Sequence, residues 1–289
     1  MRTKPGQQAK EMRSKVFSNM LETRGWKYRV FLRYLCFFKY IALAPTRGEF
    51  LESYYTLMRH LDDVVDGDVP LPEGYSNESE YLSEKIEFAN NPVSPKDEVD
   101  CLILYCYKLA EKFGEDFKAE TSDILEALLF DAQRHGKGII FPKEELAYHF
   151  HLLDIRGTIR ATLKVFKDDP KKYRILEPLG IACRHQFDLE DFEADVAAGY
   201  INISFEECER FGIKQEDLSC STLTNIKSWQ CHHAREGMAL LMEHHRVMPQ
   251  GKFTLLERAV FKVVYEIPAK KVFLKFLPEN QHKDSDKRL

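Results

Sequence analysis

Two aspartate runs at helical spacing are the residues in this chain whose types and positions could do chemistry. The first reads Arg59-His-Leu-Asp62-Asp63-Val-Val-Asp66. On a helix Asp62 and Asp66 lie one turn apart and project side by side, with Arg59 one turn earlier near the same face. Like charges at that spacing destabilise an isolated helix, so the pair has no stability rationale of its own. A magnesium ion supplies one, because it takes oxygen ligands octahedrally and is commonly held by one or two carboxylates plus phosphate oxygens. The plainer alternative is a solvated acidic helix end. Against it, Leu61, Val64 and Val65 intervene, and Tyr54, Tyr55 and Leu57 precede the run.

The second run reads Asp188-Leu-Glu-Asp191-Phe-Glu-Ala-Asp195, and Asp191 and Asp195 repeat the one-turn spacing. Arg184, Asp188, Asp191 and Asp195 then share one helix face. A single Asp-x-x-x-Asp is a weak motif. Two of them on separate long helices are much less expected by chance.

The elements that must position these residues are helical almost throughout. Apolar residues recur at steps of three and four, as in Tyr148, Leu152, Ile155, Ile159 and Leu163, which mark one buried stripe. Breakers cluster at Pro45-Thr46, Gly67 to Gly74, Asn90 to Pro95, Gly136 to Pro142, Asp168 to Pro170, Gly212 to Ser219 and Pro249 to Gly251. Between them the spacing predicts helices near 46–66, 78–89, 96–113, 117–135, 143–166, 171–197, 222–247 and 252–276, with further helix between 10 and 43. No break is long or polar enough to be a linker. The expectation is an all-α, single-domain antiparallel bundle with residues 1–27 as an N-terminal extension, 28–277 as the domain and 278–289 as a polar tail. Bundles build sites from side chains that face inward on opposed helices.

Composition limits the function classes. The chain has 289 residues, 44% hydrophobic and 30% charged, with a net charge of −4, which argues against nucleic acid as a partner. The seven cysteines are scattered without a Cys-x-x-Cys pair, the pattern of free thiols in a reducing compartment. The histidine doublets His232-His233 and His244-His245 and the pair His149/His151 lack companion cysteines or a His-Glu-x-x-His pattern, so they read as surface or core residues rather than a zinc site. The first fifteen residues carry mixed charge and no long apolar core, so a secretory signal is not expected there. The longest apolar run, Tyr34 to Pro45, is interrupted by Lys39 and falls short of the ~20 residues of a membrane span. A cytoplasmic protein, at most peripheral to a membrane, is expected.

At its motifs the chain resembles the squalene/phytoene synthase family of trans-isoprenyl diphosphate synthases. Arg59, Asp62, Asp63 and Asp66 match that family's Arg-x-x-Asp-Asp-x-x-Asp. Asp191, Asp195, Gly199, Ile201 and Arg210-Phe211-Gly212 fit its second motif and the segment after it. Phe130-Asp131, Phe141, Glu145-Leu146 and Tyr148 look like its central helix pair with a pocket tyrosine. The resemblance runs from roughly residue 28 to 277 and is specific only at the motifs.

It implies an isoprenoid synthase fold with a central cavity and Mg2+ as cofactor. Asp62, Asp66, Asp191 and Asp195 would be the metal ligands, with Asp63 and Asp188 as further candidates. Arg59 would contact diphosphate as a catalytic group and Tyr148 would line the pocket near it. Departures are equally clear. Arg184 and Phe187 stand where the family usually carries Gln-x-x-Asn, and Ala198-Gly199-Tyr200 lacks its following arginine. Leu152-Leu153-Asp154-Ile155-Arg156-Gly157 replaces a run of small residues. Arg184 could add a diphosphate contact, and Arg156 and Arg160, one turn apart, could do the same or pair with nearby acids.

Three functions follow. The leading expectation is a prenyltransferase that joins two prenyl diphosphates head-to-head, with NADPH needed only if a hydride quenches the final cation. The alternative is a class I terpene cyclase that ionises one prenyl diphosphate on the same fold. The third is a non-catalytic relative, which should have lost aspartates that this chain keeps. Prenyl chain length and oligomeric state are not legible in the sequence.

Overall fold

Caps and prolines set the helix ends in the structure, a computed structural model that describes residues 5–23 and 44–278. Helix α1 spans Pro5–Thr23 and α2 spans Pro45–Val65, the latter with Pro in its first turn, where a missing N–H costs nothing. Asn77 caps α3 (Glu78–Asn90) by accepting from Glu80 N, and Asp97 caps α4 (Glu98–Lys112) by accepting from Asp100 N. Helix α5 covers Lys118–Arg134. Of the two helical segments expected between 10 and 43, the part from 24 to 43 lies outside the described residues, as do Cys36, most of the apolar run ending at Pro45 and the tail beyond Pro278.

The chain divides into two compact units, one of residues 1–133 with 164–168 and one of residues 134–163 with 169–289. In the first, α4 packs against both α1 and α2. Ala9, Met12, Val16 and Met20 form the buried face of α1 at helical spacing. Phe50, Tyr54, Phe113 and Phe117 make an aromatic cluster, with Phe50 and Tyr54 stacked at 5.1 Å and Phe50 and Phe117 at 4.2 Å between centroids. Lys85 is fully buried and donates to Asp97 (2.5 Å) and Asp100 (2.8 Å), a paired charge that ties α3 to the start of α4.

In the second unit α6 (Lys143–Phe150) runs into a π-helical segment, His151–Ile159, and on into α7 (Arg160–Phe166), which belongs to the first unit from residue 164. The single helix expected over 143–166 is therefore wound more loosely in its middle. Leu152, Ile155, Ile159 and Leu163 are buried as the stripe requires, but Tyr148 is 59% exposed and does not belong to it. Helix α8 (Tyr173–Glu190) is followed directly by α9 (Phe192–Ala197), and α10 (Phe205–Phe211) starts at a Ser204–Glu207 capping box. The sequence reading missed α10, which is only seven residues long. Helix α11 (Thr224–Val247) packs along α8. Helix α12 (Leu255–Val260), a second π segment (Phe261–Glu266) and α13 (Ile267–Phe276) close the unit. Its core joins Leu176, Leu179, Trp229, Leu241, Phe261 and Phe273. Gly237 on α11 lets Phe273 of α13 approach closely, because a Cβ there would lie 2.3 Å from Phe273 Cζ.

The architecture is all-α, as the spacing requires. Among the described residues the β-type pairing is an isolated parallel bridge between Ile139 and Tyr200.

Candidate functional site

In the first unit the Arg59 motif occupies the last turns of α2. Arg59 Nη1 lies 2.6 Å from Asp62 Oδ2, Nη2 pairs closely with Asp63 Oδ1, and Nη2 is 4.0 Å from Asp66 Oδ2. The guanidinium thus gathers three carboxylates that helical spacing alone brings near it. Burial separates their roles. Asp63 keeps only 5% of its side chain exposed, whereas Asp62 and Asp66 keep 35% and 34%. Asp63 is the buried partner of Arg59, and Asp62 and Asp66 form the accessible pair. The Asp62 carboxyl is pushed up to about 7, first by enclosure; Arg59 opposes this, while Asp66, Asp131 and Asp63 add repulsion. Asp131, near the end of α5, is therefore part of this acidic group.

In the second unit the aspartates do not behave alike. Asp188 is buried, and both of its oxygens are engaged: Arg184 Nε donates to Oδ1 (2.8 Å) and His233 Nε2 donates to Oδ2 (3.2 Å). Burial alone would raise this carboxyl, but Arg184 and His233 outweigh it and hold it below the usual carboxylate range. The guanidinium of Arg184 lies over the Phe150 ring at 4.4 Å and near Phe187 at 5.7 Å.

Asp191 sits at the junction of α8 and α9 with φ −105° and ψ 7°, so the helix expected over 171–197 breaks at a motif aspartate. The one-turn relation survives, since Asp191 N donates to Phe187 O and Asp195 N donates to Asp191 O. Asp191 is exposed and Asp195 half-buried. Burial pushes the Asp195 carboxyl up to about 7; Asp188 and Asp191 push the same way, against Arg184 and Arg134. Asp195 Oδ2 accepts from Asn202 Nδ2 (2.9 Å), and Asn202 Oδ1 accepts from Arg134 Nη1 (2.8 Å). Arg134 is buried and also lies 5.0 Å from the Tyr200 ring.

Gly199 makes this turn possible. Its φ is +79°, and a Cβ would fall 2.7 Å from the Gly136 backbone, where Gly136 N donates to Ala198 O and Gly138 N to Gly199 O.

A cavity of about 810 Å³ opens in the second unit, within the usual size range of small-molecule sites. Leu146, Phe150, Ile155, Ile181 and Leu240 line it, with Arg184 on its wall. Tyr148 borders it, as does His185, whose imidazole is held down to about 3 by burial and by the neighbouring His233. Arg156 and Arg160 are half-buried in and just after the π segment, and Arg160 lies 5.9 Å from the Tyr173 ring. Neither arginine borders this cavity.

Sequence reasoning found the two acidic faces and Arg184. It missed His233, Asn202 and Arg134. No one-dimensional spacing links these residues to Asp188 or Asp195, because they arrive from other elements.

The fold is all-α and is similar to that of solved squalene and dehydrosqualene synthases. The chain aligns with the crystal structure of squalene synthase HpnC from Alicyclobacillus acidocaldarius at a TM-score of 0.67 and 14% identity, covering 94% of this chain and 97% of that one. It aligns with a ligand-bound dehydrosqualene synthase at a TM-score of 0.58 and 18% identity, covering 85% of this chain and 80% of that one. No family model and no curated protein sequence matches the chain.

Proposed function

We propose that the protein is a Mg2+-dependent prenyltransferase that couples two prenyl diphosphates head-to-head. The observation that carries this reading is the pairing of carboxylates one turn apart in each motif, Asp62 with Asp66 as the accessible pair beside Arg59 and Asp191 with Asp195. Oxygen donors short of positive charge are what a hard divalent cation fits. The fold shared with squalene and dehydrosqualene synthases agrees with the reading.

Asp62, Asp66, Asp191 and Asp195 would hold Mg2+. When bound, the metal supplies charge neutralisation for the departing diphosphate. The protein's own residues do the rest. Asp63 anchors Arg59, which is left oriented by three carboxylates for a phosphate oxygen. Asp188 anchors Arg184 in the same way, beside the aromatic faces of Phe150 and Phe187. An allylic cation must be kept from water, and the apolar walls around Leu146, Ile155 and Leu240 suit that task. Tyr148 borders the same cavity and would contact substrate there. Asn202 and Arg134 act as positioning residues for Asp195.

Incubation with geranyl, farnesyl or geranylgeranyl diphosphate and Mg2+, with and without NADPH, followed by product mass analysis, tests the reading. A hydrocarbon or cyclopropyl diphosphate with the carbons of two substrates supports it, and NADPH dependence identifies a hydride quench. A product with the carbons of one substrate makes the protein a terpene cyclase and overturns the coupling.

A further inference from the structure

The second aspartate motif meets the histidines of the second unit through the His233–Asp188 contact, and these histidines also belong to a polar cluster of their own. His185 on α8 and His233 and Glu236 on α11 offer three ligand atoms within 4.8 Å of one another. All three side chains line the cavity. We propose that His185, His233 and Glu236 form a second metal site, selective for a divalent transition metal such as Zn2+ and separate from the Mg2+ proposed for the aspartates.

Each histidine already has the support that a metal-binding imidazole needs. Such a ring almost always gives its other N–H to a carboxylate or a backbone carbonyl, which fixes its tautomer and orientation. His233 Nε2 faces Asp188 Oδ2 at 3.2 Å, and Asp188 can only accept, so this nitrogen carries the proton. His185 Nδ1 faces the His233 carbonyl at 3.3 Å, so it too is a donor. The remaining nitrogens, His185 Nε2 and His233 Nδ1, carry the lone pairs. His233 is 5% exposed, and its Nδ1 is buried without a hydrogen-bond partner. Glu207 Oε1 lies 3.8 Å away, beyond hydrogen-bond reach, and already accepts from Trp229 Nε1 at 3.1 Å. A buried acceptor left unpaired is costly, and a metal ion would satisfy it.

Glu236 follows His233 by three residues, so one helix supplies two ligands from one face. Its Oε1 also lies 3.2 Å from His232 Nε2, and that contact must yield or share. Two imidazoles and a carboxylate are a common donor set for zinc with one position left open. Nitrogen donors disfavour Mg2+ and favour Zn2+, Co2+ or Ni2+. Zinc bonds near 2.0 Å would bring the ligand atoms to about 3.3 Å apart. The side chains must therefore draw together, and the two imidazoles, stacked at 3.7 Å and 15°, must splay. The site would then pin α8 to α11 beneath the cavity.

The test uses tag-free, full-length protein stripped with chelator and dialysed against Zn2+. One zinc per chain should survive desalting, and Co2+ in its place should give the visible absorption of a tetrahedral site. His185→Gln and Glu236→Gln should each weaken Zn2+ binding at least tenfold with the helical signal unchanged. Both are chosen because His233 is buried and its replacement endangers folding. A Cys220→Ser, Cys231→Ser double variant should bind as the parent does. Substoichiometric zinc, binding indifferent to both Gln variants, or binding lost with the two cysteines would overturn the site. None of these outcomes bears on prenyl diphosphate chemistry, so the two proposals stand or fall separately.

Discussion

Asp62 and Asp195 are held at an electrostatic disadvantage, and that disadvantage has a measurable sign. Both carboxyls are pushed from 3.8 to about 7, by burial first and by neighbouring acids after it. Between about pH 4 and pH 7 the folded chain therefore keeps protons that the unfolded chain has released. Their contribution to stability falls as pH rises through that window and levels off above it. Mg2+ should reverse the trend by binding the ionised forms. In chelator, the melting temperature of the parent relative to Asp195→Asn should fall from pH 5 to pH 8. Millimolar Mg2+ should raise the parent more than the variant, which keeps only the first motif's pair intact. The variant keeps an oxygen for Asn202, so thermal melts across pH isolate the charge. A difference that stays flat, or that rises with pH, contradicts the account. Asp188 behaves in the opposite sense, because Arg184 and His233 lower it despite burial, which suits an anchor better than a metal ligand.

At the scale of elements, periodicity located most helices because apolar stripes repeat faithfully along them. The sequence reading missed features set by local geometry or by contacts from elsewhere. Two π-helical segments interrupt the expected helices, and in the first of these helices Tyr148 is exposed while Leu152 and Ile155 are buried. The break at Asp191 lies inside an unbroken amphipathic pattern, with main-chain bonds of the i to i+4 kind on both sides. The Asn202–Arg134 support for Asp195 depends on a turn that only Gly199 permits. Gly199→Ala would face both a left-handed backbone and a contact of 2.7 Å with Gly136. A loss of about 3 kcal/mol is expected, combining ~1–2 for the left-handed conformation with overlap against backbone that cannot easily move. Urea unfolding measures it, and a loss below about 1 kcal/mol would show that the turn relaxes.

At the scale of the molecule, the fold class was legible because the chain has helical stripes nearly everywhere and strand patterns almost nowhere. The motif resemblance pointed to the same architecture that the alignments with squalene synthase HpnC and dehydrosqualene synthase display. Among the described residues no helix is long and apolar enough to cross a membrane. Each motif lies in its own compact unit. The central claim concerns the motifs themselves: an aspartate from each should be indispensable to turnover. The most direct measurement is Mg2+-dependent release of inorganic diphosphate from geranyl, farnesyl and geranylgeranyl diphosphate by the parent, Asp62→Asn and Asp191→Asn. The account predicts release by the parent, loss of at least about a hundredfold (~2.7 kcal/mol of barrier) in each variant, and helical signals that coincide. Release that needs no Mg2+, or that persists near the parent rate when either aspartate is replaced, would contradict it.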